Sequence, residues 1–301
     1  MRRRPLLQGG LGFLLLGLVL LLAGPGSAMA GGGQGPAQPL PAGPYVRQAA
    51  GVEGQGFDVR DLHDTPAGPA LFGTMFREYG GVEGLGDPIS RAFLGRDGCA
   101  YQVFQRVALQ ACPGQGTRLA NTFELLTAAG MDPWLLVVHD IPAPREGEAV
   151  AFDDAIAERI AWLRDPAIRA VYFRAPEGVS GPWSVLDAIN YYGLPTSQPR
   201  HRGPFIVQRF QRQTLQRWLV DHPAGLFPAE TIVPVLGGVL LRETGLIGGH
   251  IVQPHAPGQS ASEALPVAAG FPPMPGEPLP HPPIAVPTPE PAAQPTLPAA
   301  E

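Results

Sequence analysis

The chain contains no lysine; all 21 of its basic residues are arginine. That absence removes every chemistry built on a lysine amine: the phosphate-binding P-loop, the Schiff base and the Ser-x-x-Lys acyl enzyme. Histidine is sparse as well. None of His63, His139, His201, His222, His250, His255 and His281 pairs with another at the i, i+4 spacing of a helical zinc site, and HExxH is absent, so no metal and no cofactor are expected. Acidic residues outnumber basic ones, 26 to 21. Without a basic excess there is no electrostatic footprint for nucleic acid. Long apolar runs are missing too, apart from Leu11 to Leu22. That run is about half the ~20 residues of a membrane-spanning helix, so no span is expected in the mature chain. Only two cysteines occur, Cys99 and Cys112.

What stands at the start has a direct meaning. Arg2, Arg3 and Arg4, the apolar run and the small residues Ala28-Met29-Ala30 form the pattern of a secretory signal peptide over 1–30, with cleavage near Ala30. The expected location is secreted, or associated with the cell envelope. Cleavage removes three arginines and no acid, leaving 18 basic against 26 acidic residues and a net charge of −8. Residues 31–56 form a leader rich in Gly and Pro. From Pro254 onward lie fifteen of the 37 prolines and no arginine. Such a composition buries too little apolar surface to offset its ordering entropy, so 252–301 is expected to be a disordered tail.

Between leader and tail the chain repeats itself. YQVFQRVALQ (101–110) returns as VQRFQRQTLQ (207–216), with Gln102, Phe104, Gln105, Arg106, Leu109 and Gln110 matched by Gln208, Phe210, Gln211, Arg212, Leu215 and Gln216. Each phrase alternates and turns back as a hairpin does. Each follows a helical pattern and a Pro-x-Ser turn, and a Leu-rich helical segment comes after (FELLTAAGM, GVLLRETGL). The first helix is read from Leu71 to Tyr79, closed by Gly80, and its counterpart from Trp183 to Tyr192, closed by Gly193. A further helix is expected over Phe152 to Leu163, with Asp153 and Asp154 at its dipole-favoured start. WLLVVHDI (134–141) and AVYFRA (170–175) read as strands by their β-branched and aromatic content. The reading is an α+β fold: a first repeat module over 57–133, a strand–helix–strand insertion over 134–175 and a second module over 176–251.

GGVEGLGDPIS followed by YQVFQRVALQ resembles the repeats of bacterial secreted proteins that read GG…FGxPIS…VQYFERARFE…LG, which are similar to the LGFP repeats of cell-wall-associated proteins. The resemblance covers about 70–130 well and about 181–247 more loosely. It implies an exported, non-catalytic module at a cell envelope, and no reaction.

The duplicated polar residues are the candidate ligand contacts: Tyr101, Gln102, Gln110, Gln208, Arg212 and Gln216. Amides beside aromatic faces suit sugar hydroxyls and apolar sugar faces. The same alternation also fits the wet side of a half-exposed strand. Arg106 and Arg212, near each turn, could clamp a carboxylate. GGVEGLG (80–86) follows a helix rather than a strand and reads as a turn, not a phosphate loop. His139-Asp140, at a strand end, is a weak acid–base candidate. His201 between Arg200 and Arg202 makes a small basic turn. Ser180 lacks the Gly-x-Ser-x-Gly frame. Asp153 and Asp154, adjacent on a helix, diverge too far for paired-carboxylate work.

Folding each phrase about a turn between Gln105 and Arg106 puts Cys99 opposite Cys112 and, in the second copy, Phe205 opposite Trp218. Facing positions suit a disulfide in one copy and an aromatic pair in the other, and an exported chain is oxidised. The bridge is expected to stabilise by about 2–3 kcal/mol. The sequence thus points to a secreted binding or scaffolding protein of the envelope, contacting wall glycan, exopolysaccharide or another envelope protein. An envelope hydrolase and an accessory subunit of an extracellular assembly are the alternatives.

Overall fold

The structure, a computed structural model, describes residues 45–47, 55–145, 152–256 and 264–273. The expected signal segment and its cleavage site lie outside these residues, as do most of the leader and 274–301. Mixed α+β character is evident throughout, with helices between small antiparallel sheets.

Two short pairs come first among the described residues. β1 (Tyr45–Arg47) runs antiparallel to β2 (Gly56–Asp58), and β3 (Asp61–Leu62) to β4 (Ala70–Leu71). Helices α1 (Phe72–Glu78) and α2 (Gly81–Leu85) follow, with Gly80 between them at φ +82°. The first sheet is a meander of β5 (Phe93–Leu94), β6 (Ala100–Val103), β7 (Ala108–Cys112) and β8 (Gly116–Leu119). Next come α3 (Thr122–Ala128), α4 (Asp132–His139), α5 (Phe152–Ile160), α6 (Pro166–Tyr172) and α7 (Val185–Tyr192). A second meander, β9 (Arg200–Arg202), β10 (Phe205–Arg209), β11 (Thr214–Trp218) and β12 (Ile232–Pro234), leads to α8 (Gly237–Glu243).

Both hairpins take the expected register. Tyr101 faces Gln110 in the first and Phe205 faces Trp218 in the second. Cys99 and Cys112 are joined, with Cα atoms 4.2 Å apart. The Phe205 and Trp218 rings lie 5.2 Å apart.

Why the phrase is written twice becomes clear at the hairpin tips, which are held from outside. The Gln105 and Arg106 amides donate to Asp87 O and Leu85 O at 2.9 and 3.1 Å. The Gln211 and Arg212 amides donate to Leu194 O and Tyr192 O at 3.1 and 3.0 Å. The glutamine side chains answer in kind: Gln105 Oε1 accepts from Asp87 N at 3.1 Å, and Gln211 Oε1 from Leu194 N at 2.8 Å. Close approach there demands glycine. A Cβ on Gly86 (φ +83°) would stand 2.7 Å from Gln105 Cβ, and one on Gly193 (φ +78°) 2.6 Å from Gln211 Cβ.

The correspondence continues outward. Ser90 Oγ accepts from Val103 N and Ser197 Oγ from Arg209 N, at 2.8 and 3.0 Å. Phe76 of α1 stacks on Phe104 at 5.3 Å, and Tyr172 of α6 stacks on Phe210 at 5.3 Å. α6 therefore stands to the second hairpin as α1 stands to the first. α7 matches α2 rather than α1, because Gly193 takes the place of Gly86.

The helix after each sheet crosses to the other half. Phe123 N, at the start of α3, donates to Gln211 O at 3.0 Å, while Gly238 N and Val239 N, at the start of α8, donate to Gln105 O at 3.1 and 3.2 Å. Each tip thus accepts hydrogen bonds from amides that the other half's helix start would otherwise leave unpaired. One buried cluster runs through both halves, including Phe72, Phe104, Tyr172, Tyr192 and Phe210. Another gathers Phe93, Tyr101, Phe123, Leu241 and Phe271.

Three expectations are corrected. The segments 134–141 and 170–175 are not strands: the first lies largely in α4, and the second begins inside α6. Asp165 caps α6, accepting from Ala167 N and Ile168 N at 3.1 and 2.9 Å, with Pro166 at the first helical position. GGVEGLG is not merely a turn, since Gly81–Leu85 is helical. The region after 252 is not wholly a tail without structure. Leu94 N donates to Pro266 O at 2.8 Å, Ala268 N donates to Leu94 O at 2.9 Å, and Phe271 is fully buried. Its ring lies 4.7 Å from Tyr101 and 5.2 Å from Phe93, covering the hairpin beside the disulfide.

Candidate functional site: a cleft at the seam

Most of the candidate ligand contacts face inward. Tyr101 is fully buried, its hydroxyl donating to Asp97 Oδ2 at 2.6 Å. Gln102 Nε2 donates to Asp58 O and Ser90 O, and Gln208 Nε2 to Trp162 O and Ser197 O, all within 3.2 Å. Gln110 is fully buried beside Arg118. With its amide turned to suit that neighbour, its oxygen accepts from Arg118 Nη2 and Nε at 3.0 and 3.3 Å. Gln216, half-buried, sits mid-sheet between Val207 and Val233. The Gln102 and Gln208 amides tie hairpin to flank, as buried polar groups must be tied.

Of the six, Gln102 lines a small pocket of about 50 Å³ with Asp58, Arg60 and Arg91, and Arg212 lines a larger cleft. Its guanidinium is buried at the seam, where Nε donates to Leu119 O at 3.2 Å and Nη1 to Ile189 O and to Asn190 O, the latter at 2.7 Å. These carbonyls come from β8 of the first half and α7 of the second. The arginine therefore sits where the halves meet.

Above it opens a cavity of about 340 Å³. This is within the roughly 300–1,000 Å³ of small-molecule sites. One wall is α1 and the chain before it, with Ala67, Pro69, Leu71 and Met75. The other is the β7–β8 hairpin, with Cys112 and Leu119. The Leu71 amide donates to Thr117 Oγ1 at 2.7 Å, joining the walls. Among the described residues of the lining, Arg118 and Arg212 are charged and none is an acid.

Burial dominates the electrostatics. It lowers the Arg212 pKa to about 10; Tyr79 opposes that shift and the neighbouring Arg118 adds to it, and the group is cationic at neutral pH. Burial likewise lowers Arg118 from its ordinary value. Tyr79, on the α1 side, is pushed up to about 12, chiefly by desolvation. It is a neutral phenol in the physiological range.

A second cleft, of about 490 Å³, occupies the matching place in the other half. Its lining comes from the end of α6 (Val171, Arg174), from β11 and β12 (Leu215, Ile232, Pro234) and from Arg106 of the first hairpin. Each cleft thus takes its floor arginine from the other half's repeated phrase. The second cleft also contains Glu177.

The remaining candidates lie elsewhere. His139 ends α4, a helix rather than a strand, with Nε2 3.8 Å from Glu243 Oε2 and its ring against Trp134. Asp140 is the left-handed residue after it, φ 55°. Ser180, Asp154 and His201 are exposed, and His201 lies on edge strand β9. The side chain of Asp153 lies outside the described residues. Sequence reasoning missed Arg118 and Met75. The only signal for Arg118 was its place in GQGTRL, a third strand directly after the second cysteine. Compared with protein-family models, with curated proteins and with solved structures, the chain shows no match.

Proposed function

We propose that the protein is an exported, non-catalytic binding module of the cell envelope, made of two copies of one helix-and-hairpin unit. Its ligand sits in the cleft above Arg212. The observation that carries this reading is the half-open, largely apolar cleft at the seam, floored by an arginine that the other half supplies. Pockets of this size with few, convergent polar groups are where ligands are held. Export rests on the arginine start, the apolar run and Ala28-Met29-Ala30. The cysteine pair at bonding distance fits an oxidising compartment. Wall glycan and exopolysaccharide remain within this reading as ligands of the cleft rather than of the buried amides.

Co-sedimentation of purified residues 31–301 with insoluble wall material, and thermal shift with soluble envelope extracts, test it. One envelope fraction should be retained, and Gln115→Trp, at the exposed rim of the cleft, should abolish retention without lowering the melting temperature. Equal retention of the parent and the rim variant would move the site elsewhere. No retention of any fraction would overturn the binding reading.

A further inference from the structure

The two clefts share a plan but differ in charge, and that difference narrows the ligand. In the sheet, Arg118 faces Gln110, whereas Val233 faces the matching Gln216. The first cleft therefore carries a strand cation, Arg118, whose sheet counterpart Val233 is uncharged and is not among the described lining of the second cleft. Arg118 is half-exposed and, with the Gln110 amide turned towards it, donates to that neutral amide oxygen. Arg212 lines the same cavity, and among the described residues no carboxylate lines it. The second cleft places Arg106 and Arg174 with Glu177, so positive charge is offset there within the lining itself.

The rest of the first cleft is greasy. Met75 and Leu119 are buried to within 2 % of full coverage, and Ala67, Pro69, Leu71 and Cys112 complete the wall. An apolar slot with guanidinium groups at one end is complementary to one kind of small molecule. The tail gains by leaving water, while a planar guanidinium pairs in bidentate fashion with a carboxylate or phosphate. Partial burial strengthens that pairing over the same contact in water. An anion would also relieve the mutual repulsion of Arg118 and Arg212.

Resting on the binding reading above, we infer that the first cleft takes an anionic amphiphile, its carboxylate or phosphate head on Arg118 above Arg212 and its aliphatic chain against Leu71, Met75 and Leu119. Arg118 selects the head, and the walls select the tail. The second cleft, with no counterpart of Arg118 in its described lining and with Glu177 present, does not share this preference.

Titration of purified residues 31–301 with dodecanoate, dodecyl phosphate, dodecanol and dodecyltrimethylammonium, each below its micellar concentration, decides the matter. The two anions should bind, and dodecanol and the ammonium compound should bind at least about tenfold more weakly, a gap of about 1.4 kcal/mol. Which anion binds tighter distinguishes a fatty-acid source from a phospholipid-like one. Arg118→Gln should weaken both anions about tenfold and leave dodecanol unchanged. Should that variant fold poorly, the parent protein supplies a second arm: added salt should weaken the anions and not the alcohol. Equal binding of all four compounds would overturn the charge selection. Binding of none, with wall material still retained and released by Gln115→Trp, would overturn the ligand class and leave the binding module standing. Loss of both would sink both readings.

Discussion

Arg209 illustrates how far single residues here are committed to holding the halves together. It is 1 % exposed and reaches from the second hairpin into the helices that follow the first. Nη1 pairs with Asp132 Oδ1 at 2.7 Å, and Nη2 donates to Phe123 O and Thr127 Oγ1 at 2.6 and 2.5 Å, with the guanidinium over the Phe123 ring. Its counterpart in the first half is Val103, and Phe123's counterpart is Gly238. The two exchanged contacts are thus built differently, one from arginine over phenylalanine and the other from valine beside glycine. Removing one member of a buried ion pair leaves the other and its carbonyls without compensation. Arg209→Leu is expected to cost about 3–5 kcal/mol in urea unfolding; a cost within the scatter of surface substitutions would refute that role. His139 works in the opposite sense. Burial holds its imidazole below the ordinary 6.5, with Glu243 pulling it partly back. As pH falls the unfolded chain takes up this proton first, so folding stability declines below about pH 6.5, and the decline levels off once the folded imidazole is protonated too. His139→Gln should flatten that part of the stability–pH curve, and an unchanged slope would remove His139 as its source.

Elements were legible in the sequence where local pattern and tertiary use agree. The hairpins, their register, the Gly80 and Gly193 stops and the helices α3 and α8 all follow from alternation, helical spacing and glycine. The segments α4 and α6 were misread for one reason. Their valines, leucines and aromatics suit a strand, but each begins with an Asp-Pro step, Asp132-Pro133 and Asp165-Pro166, which favours a helix start. Weighing that step above β-branched content would have reversed both readings. The tail was misread because composition averages over a segment. Among the prolines, Phe271 and His255 supply buried rings, and 264–270 supplies backbone partners for β5. Phe271→Ala is expected to cost about 3 kcal/mol, judged from the usual range for buried aromatics, read as a drop in melting temperature of several degrees; no drop would mean the segment does not seal the core. At the start of α8 the backbone leaves no space. A Cβ on Gly238 would stand 1.8 Å from Phe104 O. Gly238→Ala should therefore separate α8 from the first hairpin tip, with loss of about 1–3 kcal/mol, and amide exchange at 237–239 should report it directly.

At the scale of the whole molecule, the repeated phrase is a coupling device. Each tip is held by its own flank and in turn accepts the helix that follows the other sheet. The interface so formed brings Arg212 under the first cleft and Arg106 into the second. None of this exchange was legible in the sequence, because nothing in QRVALQ or QRQTLQ marks which helix a carbonyl will accept from. What the sequence did carry was the repetition itself, and the demand for glycine at Gly86 and Gly193 beside each tip. The site was less legible still. Of the six residues singled out, Tyr101, Gln102, Gln110, Gln208 and Arg212 are buried and Gln216 is half-buried, and only Arg212 reaches the cleft that the binding proposal uses. The central claim is that the halves are interlocked and cannot melt separately. Differential scanning calorimetry of residues 31–301 with the disulfide intact tests it directly. The account predicts a single transition whose calorimetric and van't Hoff enthalpies agree; two resolved transitions, one for each half, would contradict it.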